Sequence, residues 1–261
     1  MAQRADADRH PHIARLRVGS VLAGAFRLYR LAPARVAGAS LLVLLPLVFL
    51  GAWVHGLEQS LGPGVEHEPG FLLTVMPSVT EMLALLGLVV LGGVMDELVG
   101  AAVRGDAMPS LGNAARSLPF GALVVADLVV VLLVGIGALL GAIPGLVAAS
   151  LVGIVGPVVN IERRGPVRAV RRSVVLTWPH ALLAIAIIVP CVIVEAVAHG
   201  VLVHVWDALG VVGELAVEIP IVLTIGAFVV LTEVVLAYAL LARDPGSRVE
   251  RMVADSLRAD D

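Results

Sequence analysis

Residues 117–172 read SLPFGALVVADLVVVLLVGIGALLGAIPGLVAASLVGIVGPVVNIERRGPVRAVRR. No arginine stands between Ser117 and Glu162, and then five stand between Arg163 and Arg172. The arginine-free part is apolar and is interrupted at Ile143-Pro144-Gly145. A helix crossing a bilayer needs roughly 20 apolar residues, so this part holds two crossings, about 120–142 and 145–161, joined by a tight turn. Cytoplasmic segments of membrane proteins collect basic residues. The stretch is therefore a hairpin that leaves the cytoplasmic side and returns to it.

The same pattern occurs on either side. All 18 basic side chains are arginines, and residues 36–103 and 173–242 also lack them. The first gap holds spans at about 36–54, with Pro46 inside, and about 79–103. The second holds spans at about 180–203 and 218–241, with His204 and Asp207 between. The fold class is all-α: a polytopic membrane protein of six transmembrane helices arranged as three hairpins, plus amphipathic inner-surface helices, with both termini cytoplasmic. Composition agrees, at 59% hydrophobic and 15% charged, with a mean hydropathy of +0.99. A soluble domain carries about a quarter charged residues. The net charge of -3 is segregated by side and points to no nucleic-acid partner. An all-arginine, Ala-, Val-, Leu- and Gly-rich chain suits a GC-rich bacterial genome, which places the expected protein in a bacterial inner membrane as a multi-pass protein.

The sequence divides into a polar disordered tail (1–12), an interfacial amphipathic helix (13–33), the six-span membrane domain (34–241) and a polar cytoplasmic tail (242–261). The first span is longer than a signal-peptide core and lacks a small-residue cleavage site, so it is expected to stay as an anchor. At 100° per residue Val18, Val21, Leu22, Ala25, Phe26 and Tyr29 share one helix face and Arg27 and Arg30 the other, the pattern of a helix lying apolar side down in a membrane surface. A short helix is expected after Pro109 or Ser110, and another from Pro166. Trp53 and Trp206 fall at the outer interface, and Trp178, Tyr29 and Tyr238 near the inner one, as an aromatic belt. Gly137, Gly141, Gly145, Ala149 and Gly153 recur every four residues, a spacing that lets helix backbones approach.

Two stretches, RVGSVLAGAFRLYR at 17–30 and IPGLVAASLVGIVGPVVNIERRGPVRAVRRSVVLT at 143–177, resemble a bacterial family of membrane proteins, the glycerophosphoryl diester phosphodiesterase membrane-domain family and its uncharacterised relatives. The matching positions are Phe26 to Tyr29, Pro144-Gly145, Pro157, Glu162, Gly165, Ala169 and Arg172-Ser173. At the end, LTEVVLAYALLARDPG matches through Tyr238 and Arg243. The resemblance follows the order of elements along nearly the whole chain. It implies six helices with inner-surface helices and implies no catalysis, since the phosphodiesterase of fused members is a separate soluble barrel.

No nucleophile constellation, phosphate loop or metalloprotease motif is present. The lone Cys191 excludes an intrachain disulfide and reads as a small buried hydrophobe. What remains are ionisable residues at membrane depth, which are costly and default to functional hypotheses. Glu195 and His199 lie four apart on the fifth span, and Glu214 and Glu218 lie four apart at the start of the sixth. With His204 and Asp207 they form an expected outer proton or cation site, or else a wet outer edge in which only Glu195 is buried against His199. Glu81 is expected to cap an outer helix end. Asp96, Glu97, Asp127 and Glu233 are expected to pair with arginines of the surface helices. Arg27, Arg30, Arg168, Arg171 and Arg172 are expected either to contact anionic lipid headgroups or only to enforce topology. No catalytic, cofactor or metal residue is expected. The expected function is that of a non-enzymatic membrane domain, lipid-interacting or transport-related. The alternative is a structural module that assembles with itself or with another membrane protein. The glycine ladder separates the two: facing its own bundle it is internal packing, and facing lipid it is an assembly surface.

Overall fold

The computed structural model describes the backbone of residues 16–60 and 71–259; the side chains of 71–82, 201–211 and several others, Glu195, His199 and Glu214 among them, lie outside the description. Among the described residues there is no strand. Five helical stretches among the described residues are long and apolar enough to cross a membrane: Pro33–Val54, Phe120–Leu140, Ala142–Glu162, Pro166–Cys191 and Leu215–Leu241.

Helix α1 (Val18–Leu31) is followed after one residue by α2 (Pro33–Ser60). Pro33 opens α2 as much as it closes α1, because a first-turn position needs no N–H. Helix α2 packs along α3 (Phe71–Arg104). The expected second span lies within α3. Helix α4 (Leu111–Ser117) is short, and the Asn113 backbone N–H donates to the Ser110 hydroxyl at 3.3 Å, an N-cap of the expected kind.

Helices α5 (Phe120–Leu140) and α6 (Ala142–Val152) pack against each other through a turn of one residue, Gly141, at φ 136°. The break thus falls earlier than the expected Ile143-Pro144-Gly145. Pro144 sits in the first turn of α6, where its missing N–H is not needed. The glycine ladder faces inward. A Cβ on Gly137 would lie 3.0 Å from the Gly145 Cα, and one on Gly145 would lie 3.0 Å from the Ala138 Cα. The apolar stretch Ala142–Glu162 is divided at Gly153-Ile154, and α7 (Val155–Glu162) continues it. Helix α8 (Pro166–Thr177) starts on Pro166, as expected.

After a 3-10 turn at Trp178–His180, α9 runs from Ala181 to Ile221 without interruption. A π turn (Val222–Gly226) follows Pro220, whose carbonyl accepts the Thr224 hydroxyl at 2.6 Å, and α10 (Ala227–Leu241) follows that. The non-helical gap expected between 203 and 218 is therefore absent, and the backbone there is helical. The run cannot be straight. A Cβ on Gly153 would meet Ile188 Cδ1 at 3.1 Å and Glu233 Oε1 at 3.7 Å, whereas a straight helix would hold residues 188 and 233 about 68 Å apart at 1.5 Å per residue.

The core forms around α10. Nearly every side chain from Val230 to Leu241 is buried, packed against α1 and α3 together with Val21, Ala25, Leu91 and Met95. This corrects the reading of α1 as lying apolar side down on the membrane. Val21 and Ala25 of its apolar face are fully buried against the protein, and the Tyr29 hydroxyl donates to the Leu223 carbonyl at 3.0 Å. Only Phe26 of that face is largely exposed. Tyr238 also leaves the expected aromatic belt and is buried, while Trp53 and Trp178 are exposed as a belt requires. The polar tail contains a helix that was not expected, α11 (Arg248–Ala259), which packs against α3, α7 and α10 through buried Val249. Its start is capped from both sides. The Ser247 hydroxyl accepts the Glu250 N–H at 2.9 Å, and Glu250 Oε2 accepts the Gly246 N–H at 2.6 Å.

Candidate functional site

Asp96, Gly100 and Arg104 follow one another at four-residue spacing and so share one face of α3. That face forms one wall of a polar pocket of about 450 Å³. Asn160 and Arg163 come from the end of α7, Tyr238 from α10, Ser117 from α4, and Arg248 and Met252 from α11. Three chain segments far apart in sequence, 96–117, 160–163 and 238–252, thus meet at the arginine-rich end of the helices.

The innermost layer is uncharged except for one carboxylate. Asp96 is 3% exposed and Asn160 is 2% exposed. The Asn160 amide donates to Asp96 Oδ2 and, at 3.5 Å, to Glu97 Oε1. The Tyr238 hydroxyl donates to the Asp96 backbone carbonyl at 3.4 Å. Asp96 Oδ1 and Asn160 Oδ1 are buried with no hydrogen-bond partner among the described residues. Gly100 is required here, since a Cβ would lie 2.7 Å from the Tyr238 hydroxyl.

Three arginines form the rim. Arg163 caps α7 in the left-handed region at φ 52°, the only described non-glycine residue with positive φ. That conformation costs an L-residue about 1–2 kcal/mol. Its guanidinium donates to the Ser117 carbonyl at 2.9 Å and lies 3.7 Å from Glu97. Arg248 donates to the Ile161 carbonyl at 3.2 Å and has no carboxylate partner among the described residues. Arg104 pairs with Asp106 at 2.6 Å. A guanidinium has five N–H donors, so each arginine keeps donors that these contacts do not use. The rim can therefore hold an oxyanion group such as a phosphate, while the floor supplies hydroxyl and amide partners.

The expected site residues divide. Arg27, Arg30, Arg168 and Arg171 are exposed, with Arg30 over the Phe26 ring at 5.8 Å. Arg172 is instead half-buried and held within the protein by Asp244 and by Glu162 at 3.2 Å, so it ties α8 to α7 and to the end of α10. Glu81, Glu195, His199 and Glu214 lie outside the described side chains, and Glu218 is half-buried on α9. Among the described residues no three His, Cys, Asp or Glu side chains gather as metal ligands. Glu97 meets a surface arginine, as expected, but Asp96 pairs with Asn160. Asp127 makes no hydrogen bond or ion pair with any described residue; with Glu233 it lines a second cavity, of about 420 Å³, between α3, α5, α6, α7 and α10. The expectation that it would pair with an arginine is corrected.

Asn160, Tyr238 and Arg248 were not expected at a site. For Asn160 a signal existed, as one of only two asparagines in the chain and the one inside an apolar stretch. Tyr238 looked like a belt residue, and Arg248 belonged to a segment read only as a polar tail. No family model, curated protein or solved structure matches the chain.

Proposed function

We propose that this chain is a non-enzymatic, multi-pass membrane domain that binds a phosphate-bearing anionic lipid headgroup at its arginine-rich end. The pocket rimmed by Arg104, Arg163 and Arg248 carries this reading. Arg104, Arg163 and Arg248 line it with the carboxylates of Asp96 and Glu97; Arg104 and Arg163 each meet one carboxylate, at Asp106 and Glu97, and Arg248 meets none among the described residues. The strained backbone of Arg163 adds support, because strain persists where surrounding contacts over-determine it and clusters at ligand sites. Exposed Arg168 and Arg171, near the pocket in sequence, would add long-range attraction of about 1 kcal/mol each at an anionic surface. The same proposal takes the chain to cross six times, with both termini on the arginine side of a bacterial cell membrane, in keeping with the resemblance of residues 17–30 and 143–177. It favours lipid binding over assembly, since the glycine ladder is used in contacts between the chain's own helices.

The test is lipid retention. The protein is exchanged into nanodiscs of phosphatidylcholine doped with phosphatidylglycerol, and bound lipid is read by native mass spectrometry. The reading expects phosphatidylglycerol to be retained preferentially by the wild type. Arg163→Gly removes both the guanidinium and the backbone strain, so retention should fall while the melting temperature holds or rises. Equal retention of both lipids by the wild type, or unchanged retention in Arg163→Gly and Arg248→Ala, would overturn it.

A further inference from the structure

The second cavity lies away from the arginine rim and has the opposite character. Leu88, Val89, Val130, Val134 and Val152 give it apolar walls, and its charged groups are the carboxylates of Asp127 and Glu233. Small residues create the space, because Gly153 and Gly156 turn no side chain toward α3 and α10. Asp127 is 6% exposed and has no hydrogen bond or ion pair to a described residue. An ionised carboxylate taken out of water is strongly disfavoured unless a counter-charge or donor meets it. Asp127 is held in an apolar cavity whose lining also includes Glu233, and a positive guest would supply the missing counter-charge. A volume of about 420 Å³ falls within the range of small-molecule sites, roughly 300–1,000 Å³.

We infer that the Asp127–Glu233 cavity is a binding site for a hydrophobic organic cation: a positive centre set against the carboxylates, with an apolar body against the valines. The inference is independent of the headgroup pocket, with which it shares no residue.

The probe is tetraphenylphosphonium, with tetraphenylborate as the control of similar shape and opposite charge. Equilibrium dialysis against protein-loaded nanodiscs, with empty nanodiscs subtracted, reads the binding. The wild type should take up about one tetraphenylphosphonium per chain and no specific tetraphenylborate. Asp127→Asn keeps the shape and removes the charge, and should weaken cation binding about tenfold or more, the size expected for a contact to a charged group. Gly135→Leu tests the same space without touching a carboxylate. Gly135 lines the cavity, and a Cβ there meets nothing within 4 Å, so the larger side chain has room to fold and should block the guest. Arg163→Gly should leave tetraphenylphosphonium binding unchanged, which separates this site from the proposed headgroup pocket. The inference is overturned if the wild type binds no more cation than empty nanodiscs. It is equally overturned if a folded Asp127→Asn binds as the wild type does, or, should that variant not fold, if Gly135→Leu binds as the wild type does.

Discussion

Replacing Asn160 with alanine should destabilise the protein far more than its one clear hydrogen bond suggests. Asp96 and Asn160 are almost fully buried, and Asp96 Oδ1 is already without a partner among the described residues. Asn160 supplies the partner of the other carboxylate oxygen. A hydrogen bond to a charged group contributes about 1.5–3 kcal/mol, and a buried acceptor left alone carries its own desolvation cost. Together these put the loss at about 3 kcal/mol, or roughly 6–12 °C in Tm at about 2–4 °C per kcal/mol for a chain of this size. The double variant Asp96→Ala/Asn160→Ala buries no carboxylate and should melt above Asn160→Ala, despite having lost more contacts. Thermal unfolding in a nonionic detergent, checked by size-exclusion chromatography, measures both. A shift under about 2 °C for the single variant, or a double variant that melts lower still, would mean that water solvates Asp96 and that the tie between α3 and α7 is not dry.

Three further outcomes are expected. Gly137→Ala should cost about 1–3 kcal/mol, since its Cβ meets the backbone of Gly145 at 3.0 Å, while Gly135→Ala, two residues away in open space, should be neutral or slightly stabilising; paired melting curves decide this. Arg172→Ala should cost about 2–4 kcal/mol, because Glu162 and Asp244 lose a shared cation whose side chain is only 17% exposed, and Arg172→Lys should recover only part of the loss because lysine cannot match the fork; added salt should change neither result much. Ser247→Ala should weaken α11 by about 1 kcal/mol, visible as faster amide exchange across residues 248–254 with the rest of the protein unchanged.

The helical class and most helix positions were legible because apolar length and arginine placement are one-dimensional signals. Pro166, Ser110 and the gap before Arg163 could be read directly. The uninterrupted backbone of α9 could not, since the polar residues His204, Asp207 and Glu214 look the same in a loop as in a helix. The docking of α1 was hidden for a related reason. An amphipathic face fits lipid and protein equally well, and only the complementary surface of α10 decides between them. The start of α11, a serine at 247 with a glutamate three residues on, was legible in principle, but in a short polar segment that spacing is a weak signal. The pocket was least legible. Its residues come from positions 96–117, 160–163 and 238–252, and no local pattern announces that they meet.

That wide spacing has a consequence for how the protein is made. Chains emerge from the ribosome at about 5–20 residues per second, so Asn160 follows Asp96 by roughly 3–13 s and Met252 follows Glu97 by roughly 8–30 s. During the first interval α3 carries adjacent carboxylates with neither Asn160 nor Arg163 yet available to receive them. On the proposed topology, in which α3 is a crossing, its settled packing would have to wait for a helix not yet synthesised, and the insertion machinery would shelter it until α7 arrives.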